Sequence, residues 1–252
     1  METKAIILSG YGLNTEHETK YAIETVGGNA KIVHINELIA QKSQLGDFNL
    51  LIIPGGSSFG DHMGAGKILA NKLKSKIGNE LVEFIKRKNL VLGIANGFQA
   101  LVKMGLLPST DLEQKATMMQ NKNGIYINNW ALFKINKRSP CIFTKGIECI
   151  TLPIRNHSSR FHCNGKNLND IIQNDLNVMQ YVDANGNDTP HASGSVENIA
   201  GLCDKTGHVF GMMPHPESFC FVENCPSWIF GLKKAHGLSI FRNAVEYLAK
   251  QG

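Results

Sequence analysis

Val91-Leu92-Gly93-Ile94-Ala95-Asn96-Gly97-Phe98-Gln99 reads as a short apolar strand that turns abruptly into a helix. The run before Ala95 is apolar at every position except the glycine. It is too short for a helix and too uniformly apolar for a strand with one wet face, so it belongs inside a parallel sheet covered on both sides. Beyond the turn, apolar spacing continues to Met104 and stops at Gly105, as a helix end should. Gly-x-x-x-Gly between strand and helix is the arrangement of a nucleophile elbow. The sharp turn lifts one side chain above the carboxyl edge of the sheet, and the glycines make room for the backbone. The helix N-terminus directs free N–H groups at developing negative charge. The lifted position here is Ala95. On this segment alone, an ordinary strand–loop–helix turn explains the pattern equally well.

The same alternation extends outward through the first half of the chain. Ala5–Leu8 reads as a buried strand followed by the turn Gly10-Tyr11-Gly12, and Glu18–Val26 as a helix closed by Gly27-Gly28. Lys31–Ile35 is the next strand. Leu50–Ile53 is another, running into Pro54-Gly55-Gly56, and Asn79–Lys88 is an amphipathic helix before the strand Leu90–Ile94. Short glycine-bounded strands separated by helices predict a doubly covered parallel sheet.

The second half changes character. Tyr126–Phe133, Glu148–Ile154, Asn177–Val182, Asn198–Cys203 and His208–Met213 read as strands joined by polar turns. Phe161–Asn177 reads as a loop with a short helix, and Leu238–Ala249 as a helix that packs on the sheet through Phe241, Ala244, Val245 and Leu248. The fold class expected is α/β, a central mostly parallel sheet with helices on both faces and extra antiparallel strands. No repeat or long linker divides the chain, so one domain over residues 1–252 is expected.

Composition narrows the function class. The chain has 252 residues, 42% hydrophobic and 19% charged, enough for one buried core. The net charge of +5 is scattered. Its densest run, Lys86-Arg87-Lys88, reads as a solvated helix end rather than an anion-binding face, and no nucleic-acid motif is present. The start lacks a signal-peptide pattern, and no apolar stretch approaches the ~20 residues that span a bilayer. A soluble, cytoplasmic protein is expected, with no membrane or nucleic-acid partner. The six cysteines, at 141, 149, 163, 203, 220 and 225, form no CxxC pair. They read as free, mostly buried thiols, against a remote grouping of His215, Cys220 and Cys225 around a metal. No metal or other cofactor is expected.

A second segment carries chemistry. Gly211-Met212-Met213-Pro214-His215-Pro216-Glu217 is an apolar strand ending in two polar side chains separated by proline. His can act as a general base, with Glu holding its far ring nitrogen. Alone, a histidine between two prolines is as readily a packed turn residue.

Together the two segments resemble the class I glutamine amidotransferases, whose triad is an elbow Cys plus His and Glu from a Pro-His-Pro-Glu turn. The fold this implies is the family's flavodoxin-like sheet. The resemblance covers nearly the whole chain and narrows to the glutaminase subunits of phosphoribosylformylglycinamidine synthase, a ligase of purine biosynthesis. Gly10–Glu16 is similar to the family's first loop, and Pro54-Gly55-Gly56-Ser57-Ser58-Phe59-Gly60-Asp61 to its oxyanion loop. Asn96–Leu101, Gly105–Pro108, Ser139–Phe143, Leu152–Ile154, Ile199–Gly201 and Phe241–Val245 also match. The resemblance implies that an elbow thiolate attacks the side-chain amide of glutamine, His215 relays protons and Glu217 orients it. Backbone N–H groups near Gly55 and Gly56, and that of Asn96, would hold the oxyanion, with Gln99 beside the substrate. Ammonia would pass to a synthetase subunit.

Ala95 breaks that scheme. It has no lone pair and no route to a thioester, so the chain is expected not to hydrolyse glutamine by the usual route. Other departures cluster in the loops expected around the pocket. Arg155-Asn156-His157-Ser158 stands where the family carries His-Gly-Glu-Gly. Pro190-His191-Ala192-Ser193-Gly194-Ser195 stands in place of Asn-Pro-Asn-Gly-Ser, and Ser57 in place of an aromatic residue. A deliberate Cys→Ala variant would differ at one position; relaxed catalytic demand changes several, which favours a naturally silent homologue. Three functions then stay open: a glutaminase subunit, a silent binding or regulatory partner of a synthetase or other amide-transfer enzyme, or a new activity where His157, His191 and His215 converge.

Overall fold

The computed structural model describes residues 2–251; Met1 and Gly252, the ends of the expected single domain, lie outside the described residues. In chain order the elements are β1 (Lys4–Ser9), α1 (Glu16–Thr25), β2 (Asn29–His34), α2 (Ile35–Ala40), β3 (Leu50–Ile53), α3 (Lys67–Lys86), β4 (Leu90–Ile94) and α4 (Asn96–Met104). There follow β5 (Ala116–Met119), β6 (Ile127–Ile135), β7 (Cys149–Asn156), β8 (Arg160–Cys163), α5 (Gly165–Gln173), β9 (Asn177–Val182), β10 (Ile199–Cys203), β11 (Val209–Met212) and α6 (Leu238–Ala249).

Nine strands form one sheet in the order β2-β1-β3-β4-β11-β10-β9-β6-β7. The pairs from β2 to β11 are parallel, and those from β11 to β7 are antiparallel. The sheet is thus α/β and mixed, as expected, with the antiparallel strands supplied by the second half. Every residue of β3, β4 and β11 is buried, which is why these strands are continuously apolar. The crossover from β1 to β2 runs one way across the sheet and that from β3 to β4 the other. Right-handed crossovers in opposite directions place α1 and α3 on opposite faces. α6 joins α1, and α4 packs beside α3. The reversal of crossover direction between β1 and β3 opens a crevice at the carboxyl ends of these parallel strands, the position where ligands bind in such sheets.

The local reason for the elbow is visible at Gly97. A Cβ added there would lie 1.9 Å from the Ile53 carbonyl oxygen, so only glycine lets α4 settle onto the end of β3. At Gly93, a Cβ would meet the Gly97 backbone at 2.8 Å. Both glycines of the Gly-x-x-x-Gly pattern are therefore fixed by close backbone approach.

Three differences from the sequence expectations have local causes. α3 begins at Lys67, well before the expected Asn79, because Leu69, Ala70, Leu73 and Ile77 already form a buried stripe among lysines. Its backbone leaves helical geometry at Ile77, next to Gly78, which is where the second, more regular half starts. The stretch from Phe161, read as a loop with a short helix, opens within β8 before reaching that helix, α5, which is nine residues long and capped by the Asn164 side chain accepting from the Asn167 N–H at 2.9 Å. β5 and β8 pair into a separate two-stranded sheet; at four residues each they carry too short a pattern to be recognised.

Gly97→Ala is expected to destabilise the protein by about 2 kcal/mol or more, since the added methyl meets backbone rather than a movable side chain. Gly165→Ala, with nothing within 4 Å of the new Cβ, should be neutral or stabilising by up to ~1 kcal/mol. Urea unfolding of the two variants beside the parent checks both.

Candidate active site

Ala95 sits at the tip of the turn with φ 48 and ψ −102. Such a backbone conformation in a residue with a Cβ costs on the order of 1–3 kcal/mol and survives only where its surroundings over-determine it. They do: the Ala95 N–H donates to the Met212 carbonyl at 2.7 Å, and its own carbonyl accepts from the Gln99 N–H at 3.1 Å. The elbow is thereby pinned to β11 on one side and to α4 on the other.

β11 delivers the partner residues. Just past its end the His215 N–H donates to the Pro153 carbonyl at 2.9 Å, joining this turn to β7. The His215 Nδ1 and Glu217 Oε1 are 2.7 Å apart, which places the ring proton on Nδ1, donating to the carboxylate. Both side chains are buried, and neither His215 Nε2 nor Glu217 Oε2 has a partner. A Cβ built on Gly55 would lie 2.8 Å from His215 Cε1 and 3.6 Å from the Ala95 Cβ. Imidazole, elbow methyl and Gly55 therefore converge on one point. Cys220, three residues beyond Glu217, donates to the Glu217 carbonyl at 3.3 Å. Burial, then the Glu217 charge, pushes it up to about 11, so it is protonated and is no substitute nucleophile.

The loop after β3 closes the other wall. Gly56 pairs with Leu13 in an isolated bridge. The bridge uses the N–H groups of Asn14, donating to Gly55 O at 2.9 Å, and of Ser57, donating to Gly12 O at 3.0 Å. Gly56 has φ 124, and a Cβ there would meet Gly12 O at 2.3 Å, so the position demands glycine. Its N–H takes no part in the bridge. The Asn96 N–H opens α4 and has no intrahelical acceptor.

Side chains brace this arrangement. Asn96 accepts from the Ser58 N–H at 3.1 Å and donates to Asp61 at 3.0 Å and to Gln99 at 2.8 Å. Gln99 donates onward to the Ser158 carbonyl at 2.6 Å. Gln99, expected beside the substrate, lines the cavity, but its amide is engaged in holding the β7–β8 connection.

These walls enclose a cavity of about 450 Å³ lined among others by Gly56, Ala95, Asn96, Gln99, His157 and His215, within the range of small-molecule sites. Glu18, Asp61 and Arg155 supply its formal charges. Glu18 and Tyr126 are functional candidates that the sequence did not single out. Glu18 lies in the first turn of α1, directly after the carboxyl end of β1, and that position was the available signal. Of the three histidines considered together, His157 and His215 line the cavity and His191 does not. His191 stacks flat on Tyr181, centroids 3.7 Å apart, and bonds to Ser193. Among the described residues no cluster of three or more His, Cys, Asp or Glu side chains is poised to hold a metal, and no helix is long and apolar enough to cross a membrane. Chemically, the site offers a carboxylate-held imidazole, two free backbone N–H groups and no attacking atom at the elbow.

A profile of the CobB/CobQ-like glutamine amidotransferase domain matches residues 2–248. The chain is similar to the phosphoribosylformylglycinamidine synthase subunit PurQ of Methanococcus maripaludis (strain S2), 39% identical over 269 aligned positions that cover 98% of each protein. It is equally similar to the protein of that name from Dehalococcoides mccartyi, 39% identical over 98% of each. Among solved structures, a chain of PurLQS from Thermotoga maritima superposes with a TM-score of 0.75 at 30% identity, covering 98% of this chain and 100% of that one. A glutamine amidotransferase from the same organism gives 0.55 at 15% identity over 99% of both chains, a likeness of fold.

Burial holds His191 down to about 4 from an ordinary 6.5. The unfolded chain then binds this proton more readily than the folded one between those values. Stability is present above the upper value and is lost as pH falls toward the lower. His191→Phe, which keeps the stack on Tyr181, should flatten the decline in urea midpoint between about pH 6.5 and about pH 4; an unchanged slope would assign the effect elsewhere.

Proposed function

This chain belongs to the CobB/CobQ-like glutamine amidotransferase family, and from that premise we propose that it is a glutaminase-type subunit of phosphoribosylformylglycinamidine synthase, silent in hydrolysis as it stands. One observation carries the proposal: Ala95, His215 and Gly55 meet at the wall of the cavity. That is the placement in which a triad would act, with a methyl where the nucleophile would be. The PurQ names of its relatives and its likeness to a PurLQS chain support the assignment to this synthase.

In this reading the side-chain carbonyl of glutamine lies against the N–H groups of Gly56 and Asn96, and His215, oriented by Glu217, faces the amide nitrogen. Gly55 leaves room for the ring. The ligand is bound and not opened, because no thioester can form on Ala95. Residues 1–252 act as one domain, in the cytoplasm, without a cofactor, beside a synthetase subunit.

A second reading, a natural pseudo-glutaminase that works by binding a synthetase or another amide-transfer enzyme, is favoured by the rim of the site. Tyr126, which lines the cavity, and Tyr21 and Phe221, which line the space next to it, are all about half exposed. Phe230, on the same connection as Phe221, is 86% exposed. Apolar side chains bared around a pocket mouth suit a docked protein.

Ala95→Cys should raise glutamine hydrolysis by ~10³-fold or more over the parent, measured as glutamate release with and without a synthetase partner. Silence of both proteins under both conditions would leave the glutaminase assignment without support and turn attention to the docking role.

A further inference from the structure

The loss of a nucleophile changes what this site prefers to hold. In a neutral His215 the proton sits on Nδ1 toward Glu217, and Nε2 carries only a lone pair. Nε2 is buried and unpartnered, and its ring lies against Gly55 and close to the Ala95 methyl. Nothing in the fold satisfies that atom. At the same cavity α4 begins at Asn96 and is nine residues long, so its positive dipole end lies at the ligand space. The Gly56 N–H adds to them.

Fixed donors of this kind accept a carbonyl oxygen, and they accept a carboxylate oxygen better, because charge-assisted hydrogen bonds are roughly twice as strong. The second ligand atom decides the match. An amide NH2 donates to the lone pair of Nε2, so it suits the neutral ring. A carboxylate oxygen accepts, so it suits a ring protonated on Nε2. With a thiolate at position 95 the site would already hold a negative charge against His215. With Ala95 that charge is absent, and a ligand carboxylate can take its place.

We propose that this cavity is a receptor for side-chain carboxylates, binding glutamate in preference to glutamine while His215 takes up a proton. One carboxylate oxygen meets the N–H groups of Gly56 and Asn96. The other accepts from Nε2–H, and the imidazolium lies between two carboxylates, that of the ligand and that of Glu217. The proton comes from solvent, and no bond in the ligand breaks. The charged and titratable groups that face this arrangement are Glu217 on the His215 turn, Glu18 on α1, Asp61 after β3, Tyr126 before β6, and Arg155 and His157 at the end of β7. Asp61 is already held by the Gly66 N–H and the Asn96 side chain, both at 3.0 Å. The proposal rests on the reading that the cavity takes ligands of the glutamine class.

Isothermal titration of the full chain with L-glutamate and with L-glutamine tests it, at about pH 6 and about pH 8, in buffers of different ionisation heat. Glutamate is expected to bind ~10-fold more tightly than glutamine at the lower pH, with uptake of up to about one proton, and to lose that advantage at the higher pH. His215→Gln should abolish both the preference and the proton uptake. Glutamine binding with no preference for glutamate at either pH overturns the inference and leaves the glutamine-class reading intact. A glutamate preference that persists in His215→Gln, or that moves no proton, also overturns it. Failure of both amino acids to bind overturns the glutamine-class reading together with the inference. If His215→Gln does not fold, the proton count of the parent decides alone.

Discussion

The contact between α4 and the end of β3 sets the position of everything at the site. Gly97 lies so close to the Ile53 carbonyl that no side chain fits between them. This contact brings the start of α4 down to the carboxyl edge of the sheet and forces the chain to turn within one residue, Ala95. The strained backbone of that residue follows from the fit of strand and helix, with the hydrogen bond to Met212 holding it in register with β11. Since His215 follows Met212 by three residues, the same register sets the distance between the elbow and the imidazole. The elbow is held by backbone hydrogen bonds of Ala95, so its geometry does not depend on the side chain there.

The walls of the cavity are held by a second device that is also indifferent to catalysis. Asn96, directly after the elbow, ties together the loop after β3 through Ser58 and Asp61, and the connection after β7 through Gln99 and Ser158. Each of these bonds is buried or half-buried, where a broken partner leaves an unsatisfied group at a cost of about 1–3 kcal/mol. Losing Asn96 or Gln99 would therefore cost stability as well as the shape of the pocket, so the two are coupled.

The legibility of the sequence followed the strength of local constraint. β3, β4, β9 and α6 match their expected bounds, because the buried parallel strands β3 and β4, the largely apolar antiparallel strand β9 and a strongly amphipathic terminal helix leave a pattern over their full length. The elbow and the Pro-His-Pro-Glu turn were readable because each requires particular residue types at fixed spacing. Elements stabilised mainly by tertiary contacts were not. The first half of α3 is hidden by lysines that cover its exposed face, and β5 and β8 exist through pairing with each other across more than forty residues. The side chains that charge the cavity were the least legible. Glu18 is one of several acids near the start of α1, and only the sheet order brings that turn to face the elbow. His191 failed the other way: a histidine beside two others in polar loops suggested convergence, but its flat stack on Tyr181 uses the ring for packing.

A buried His–Glu pair is not by itself a sign of chemistry. Removing one member of a buried pair leaves an uncompensated group and typically costs several kcal/mol, so such pairs persist for stability alone. Here the structural demand accounts for three of the pair's polar groups. The His215 N–H closes the junction to β7, Nδ1 satisfies Glu217, and Oε1 satisfies Nδ1. It does not account for Nε2, which is sheltered from water and bonded to nothing. Nor does it account for Gly55, whose lack of a side chain serves the ring that carries Nε2. A purely structural histidine would be expected to point its second nitrogen at a protein acceptor or at solvent, since a buried polar atom without a partner is costly. The fold instead keeps that nitrogen unpaired in a residue that lines the cavity, beside backbone donors that are also unpaired. Ligand atoms are the partners that complete both sets, and this is the physical reason to regard the cavity as a binding site.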